Sequence, residues 1–115
     1  MDEMKAELTA LVQADQGLPG RYFTDPAIFA IERQAVFESS WLCIGLSADA
    51  PDRGDLYPVT VFGQPLLMVR DREVLRVVHN VCSHRGALLV NEPTHCGPRI
   101  VCPYHSWDTR NQRRV

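Results

Sequence analysis

Three of the chain's four cysteines and three of its four histidines fall between residues 80 and 107, in NVCSHRGALLVNEPTHCGPRIVCPYHSW. Within that stretch Cys82-x-His84 is followed, after seventeen residues, by Cys102-x-x-His105. Thiolates and imidazoles are soft metal ligands, and four of them in two short pairs describe two halves of one site. The donor set admits a tetrahedral zinc ion or a [2Fe–2S] cluster. A zinc finger pairs Cys with Cys and His with His and places the second pair on a helix. Here each pair holds one Cys and one His, and Pro103 directly after Cys102 disfavours a helix. Mixed pairs let each loop send its sulfur to one iron and its nitrogen to the other.

The rest of the chain must position these pairs. Residues 3–14 carry Met4, Leu8, Leu11 and Val12 at helical spacing, and QGLPG (16–20) ends that helix. Asp25 as N-cap and Pro26 at the first helical position predict a second helix over 26–38, with Ile28, Phe29, Ile31, Ala35, Val36 and Phe37 as its apolar stripe. WLCIGL (41–46) reads as a buried strand, with Cys43 as a small core side chain. LYPVTVF and PLLMVR flank a hairpin turn at Gly63-Gln64, and VLRVVHNV follows the DRE turn as a third strand. NEPTHCGP reads as a loop and RIVC as a short strand leading into the second pair. The expectation is a mainly β fold: a helical entry segment over residues 1–40, then an antiparallel β domain over 41–115 presenting two ligand loops.

Composition narrows the partners. With 45% hydrophobic and 23% charged residues, the 115-residue chain has the make-up of one small globular domain. A net charge of −2 gives no reason to expect nucleic acid or an acidic membrane surface. No apolar run reaches the roughly 20 residues of a membrane helix. The acidic N-terminus lacks the features of a signal peptide, so the expected compartment is the cytoplasm, where cysteines stay reduced.

CSHRG followed by CPYHSW resembles the Rieske signature, and the seventeen-residue gap resembles that of ring-hydroxylating oxygenase α subunits. The likeness extends upstream through LPGRYFTDPAIFAIERQAVFESSWLCIG and LLMVRDREVLRVVHNVCSHRGALLV, covering about residues 18–107. It implies a Rieske-type [2Fe–2S] cluster, with Cys82 and Cys102 on one iron and His84 and His105 on the other. It implies one-electron transfer within the terminal component of a ring-hydroxylating or quaternary-amine-type oxygenase. The electron donor would be a ferredoxin or flavin reductase, and full-length members would form homotrimers. The alternatives are a stand-alone Rieske ferredoxin and a structural zinc module mediating protein contacts.

Neighbouring positions have local readings of their own, and Arg85's is drawn from the resemblance. Gly86 and Gly97 would supply loop conformations closed to other residues, Arg85 would hydrogen-bond near the cluster, and Trp107 would pack over the cluster loop. His79, His95 and Cys96 are read as non-ligands. Respiratory-type members carry an inter-loop disulfide and two hydroxyl donors; Ala87, Tyr104, Trp107 and Thr109 stand at those positions here. That difference implies a potential near the low end of the Rieske range, roughly −150 mV. Ser106 stands where the family usually has Gly, and DTRNQRRV departs from the family's continuation. The expectation is an α-subunit-like chain that stops before the closing strands. No catalytic residue is assigned: mononuclear Fe(II), held by two His and a carboxylate, would belong to a missing downstream domain.

Overall fold

Asp25 and Pro26 start a helix for the reasons their types suggest. The Asp25 carboxylate accepts the Ala27 N–H at 2.8 Å, and Pro26 occupies the first turn, where its missing N–H costs nothing. In the computed structural model, which describes residues 2–97 and 99–108, the chain forms two compact units, 1–42 and 43–115. The first unit contains α1 (Asp2–Gln13), the short α2 (Arg21–Thr24) and α3 (Pro26–Glu32). α3 runs on into a π-helical turn over Arg33–Phe37, so the expected 26–38 helix has its extent but not a uniform α pitch. Tyr22 is the buried residue of α2; its hydroxyl donates to Glu7 of α1 at 2.9 Å, and Arg21 pairs with the same carboxylate. Met4, Leu8 and Leu11 are half-buried, whereas Val12, Phe29, Ala35 and Val36 are exposed.

The second unit is built on a four-stranded antiparallel sheet in the order β3-β2-β1-β4. β1 (Asp55–Val61) and β2 (Gln64–Asp71) form a hairpin whose two-residue turn is Phe62-Gly63, not Gly63-Gln64. Both turn residues have positive φ, 49° and 82°, as a type I′ turn requires. β2 turns through Arg72-Glu73 into β3 (Val74–His79), with Leu67 opposite Val78. Leu56, Leu67 and Val78 supply the sheet's part of the core.

Two sequence expectations fail here. Residues 41–46 form no strand: Trp41 and Cys43 are exposed, and the segment pairs with neither sheet edge. An apolar run records hydrophobicity but supplies no ladder partner. RIVC contributes only an isolated bridge from Val101 to Asp108. The short strand sits instead inside the expected loop, as β4 (Thr94–His95) against Asp55 and Leu56. Gly54 admits it. At φ +96° it accepts the Cys96 N–H at 2.8 Å, and a Cβ there would lie 2.3 Å from the Cys96 carbonyl oxygen. The departure at DTRNQRRV concerns residues that, beyond Asp108, lie outside the described ones, as does Thr109.

Candidate metal centre

Each ligand pair sits on a loop, and the two loops are built alike. In the first, Val81 bridges Leu88, the Cys82 N–H donates to the Ala87 carbonyl at 2.7 Å, and the Gly86 N–H donates to the Cys82 carbonyl at 2.9 Å. In the second, Val101 bridges Asp108, the Cys102 N–H donates to the Trp107 carbonyl at 2.9 Å, and the Ser106 N–H donates to the Cys102 carbonyl at 2.9 Å. The fourth residue after each cysteine is left-handed: Gly86 at φ +71° and Ser106 at φ +54°. Gly86 has the conformational role expected of it; Gly97 does not, having no positive φ and open space where its Cβ would be.

The two sulfurs of these loops face inward. Cys82 and Cys102 are 3% and 2% exposed and belong to the core cluster with Leu56, Leu67, Val78, Leu89 and Val90. The Tyr104 N–H, helped by the His105 N–H and the Cys82 thiol, holds Cys102 below the ordinary thiol range against the opposing pull of burial. Backbone amides aimed at a sulfur in this way favour its anionic, metal-binding form.

The two imidazoles of these loops face outward. His84 and His105 are exposed, with ring centroids 5.1 Å apart and planes at 71°. Trp107 lies nearly parallel to His84, 4.8 Å away at 11°, and Tyr104 leans on His105 at 3.9 Å. The expected packing of Trp107 over a cluster loop thus takes a specific form. Arg85 is exposed.

His95 and Cys96 are engaged elsewhere. His95 donates from Nδ1 to Asp55 at 2.8 Å, tying β4 to β1. Cys96 packs against the core, and burial pushes its thiol up. His79 is exposed at the end of β3. Sequence reasoning missed Asn80, 2% exposed, whose Nδ2 donates to the Val90 carbonyl at 2.7 Å and whose Oδ1 accepts the Val90 N–H at 3.0 Å. That pair of bonds closes the first ligand loop at its base. A polar residue directly after a strand and two before a ligand was the available signal.

The donors therefore come as two pairs, sulfurs within and nitrogens at the surface. Among the described residues no group of three or more Cys, His, Asp or Glu side chains is placed to hold a single metal ion. The family model of the Rieske [2Fe-2S] domain matches residues 40–113. The chain belongs to the Rieske [2Fe–2S] family. Among its relatives is the glycine betaine monooxygenase oxygenase subunit of Chromohalobacter salexigens, 35% identical over 89% of this chain and 23% of that subunit. Among solved structures, the quaternary ammonium Rieske monooxygenase CntA with L-carnitine matches at a TM-score of 0.71 and 32% identity, over 78% of this chain and 26% of that one. Naphthalene 1,2-dioxygenase from a Rhodococcus species matches at 0.77 and 27% identity, over 89% and 23%. The Rieske chain thus spans about a quarter of the length of the curated relatives it matches. Its mainly antiparallel β architecture, entered through helices, is that of these oxygenase domains. No helix among its described residues is long and apolar enough to cross a membrane.

Proposed function

We propose that Cys82 and Cys102 hold one iron of the [2Fe–2S] cluster through their thiolates and that His84 and His105 hold the other through ring nitrogens. The single observation that carries this reading is the sorting of the donors, with paired sulfurs in the core and paired imidazoles at the surface. When bound, the cluster supplies a one-electron couple. The chain's own residues do the rest. The core packing around Cys82 and Cys102 excludes water from the sulfur side, the Tyr104 and His105 amides offset negative charge on Cys102, and the exposed imidazoles leave the nitrogen side open to a partner.

The role is that of the electron-accepting domain of an oxygenase terminal component, with residues 1–40 as helical entry and 41–115 as cluster domain. Its donor is a ferredoxin or flavin reductase, and its substrate class, by likeness to the relatives, is a quaternary ammonium or aromatic compound. The test is anaerobic purification with iron, sulfide and zinc analysis and EPR after reduction. Two irons per chain and a Rieske-type signal are expected, both lost in Cys102→Ser. Colourless protein with stoichiometric zinc would overturn the reading.

A further inference from the structure

The imidazoles of this centre present a mechanical problem that the cysteines do not. Cys82 and Cys102 are locked by main-chain bonds and core packing. His84 projects from its loop into solvent, and no hydrogen bond to its ring forms among the described residues. A histidine χ2 torsion is broad, so an imidazole without contacts samples many ring orientations. Two contacts restrict this one: the indole of Trp107 across one face and His105 against it edge-on. Trp107 belongs to the other loop, and its carbonyl accepts the N–H of Cys102. One residue therefore joins a sulfur ligand of the second loop, through its main chain, to a nitrogen ligand of the first, through its side chain.

We infer that Trp107 is a positioning residue of the cluster site. It fixes the ring plane of His84 relative to His105 and so sets the geometry in which the two nitrogens meet their iron. The inference rests on the ligand reading above. Tyr104 cannot substitute for it, because Tyr104 and His105 are chain neighbours and their contact ties nothing across the loops. Phenylalanine at 107 keeps a flat face for the imidazole; leucine does not.

The experiment uses the reduced, cluster-loaded full chain in three forms: wild type, Trp107→Phe and Trp107→Leu. The histidine nitrogen couplings are read by pulsed EPR, iron release by transfer to bathophenanthroline at fixed pH, and folding by thermal unfolding. Trp107→Leu is expected to broaden the g-features, spread the nitrogen couplings of one histidine, and release iron about three- to tenfold faster, the factor a lost aromatic stack supplies. Trp107→Phe is expected to restore most of each, and it keeps the test open should the leucine variant hold its cluster poorly. Nitrogen couplings identical to wild type in both variants, whatever happens to the melting temperature, would overturn the inference and leave Trp107 a packing residue. Wild-type protein showing no histidine nitrogen couplings would instead overturn the ligand reading beneath it.

Discussion

Asn80→Ala should be among the most damaging substitutions in the molecule that touch no ligand. Asn80 is 2% exposed and Val90, whose main chain its side chain pairs with, is 8% exposed. Alanine removes the donor 2.7 Å from the Val90 carbonyl and the acceptor 3.0 Å from the Val90 N–H, and leaves both main-chain groups buried. An unsatisfied buried group costs about 1–3 kcal/mol, so two cost about 2–6 kcal/mol, and water entering the vacated space favours the lower half, near 3 kcal/mol. For a domain of this size each kcal/mol lowers the melting temperature by roughly 4–8 °C, so the expected fall is about 12–24 °C. Asn80→Asp separates hydrogen bonding from volume: nearly isosteric, it sets an oxygen where the amide donor met the Val90 carbonyl. At neutral pH it should be at least as destabilising as alanine. Circular dichroism melts of the metal-free protein and iron stoichiometry of the loaded protein are the assays. A melting temperature for Asn80→Asp equal to wild type, or a loss below about 0.5 kcal/mol for alanine, would refute the claim that these two bonds close the ligand loop.

The other tests follow from backbone strain and charge. Ser106→Gly should stabilise by about 0.5–1 kcal/mol and Gly86→Ser should destabilise by a similar amount; the added Cβ at Gly86 comes no closer than 4.0 Å to Val81, so strain alone sets the sign. Equal melting temperatures for both variants would show that the two turns are not equivalent. Gly54→Ala should cost about 2 kcal/mol or more and abolish amide-exchange protection at Cys96, because its Cβ would meet the Cys96 carbonyl at 2.3 Å. Asp55 is held below the ordinary carboxylate range first by the His95 hydrogen bond and then by the Asp52 N–H. Its stabilising contribution is present above about pH 4 and lost as pH falls through the depressed value. Urea unfolding of metal-free wild type and Asp55→Asn should therefore diverge at neutral pH and converge in acid; a constant gap would count against the pair.

The sequence was most legible where short-range chemistry decides structure. The Asp25-Pro26 helix start and the three-strand meander depend on residue types a few positions apart. Legibility failed where a partner distant in sequence decides. WLCIGL has the composition of a strand but pairs with neither sheet edge, while Thr94–His95 looks like loop and becomes a strand because Gly54, forty residues earlier, leaves room for it. The depth of each donor was equally hidden. Cys82 and Cys102 are buried by Leu56, Leu67 and Val78 on three different strands, a convergence no local pattern announces. Asn80 was missed for the same reason, since its partner Val90 is ten residues on.

The two ligand loops repeat one backbone but not one set of side chains, and the difference accounts for the site's asymmetry. Counting from each cysteine, the second position holds His84 in one loop and Tyr104 in the other, and the third holds Arg85 and His105. His84 and His105 thus leave equivalent turns from different positions, and their rings meet edge to face at 71° rather than as mirror copies. At the fifth position, whose carbonyl receives the cysteine N–H in both loops, the first carries Ala87 and the second Trp107. Ala87 packs against the core cluster that holds both sulfurs, whereas Trp107 is about half exposed at 49%. Its flat face then meets His84, the ring that its own loop leaves without a neighbour, while His105 already has Tyr104 beside it. A repeated turn delivers the sulfurs to equivalent depths in the core; the unequal side chains on that turn are what give each imidazole an aromatic wall.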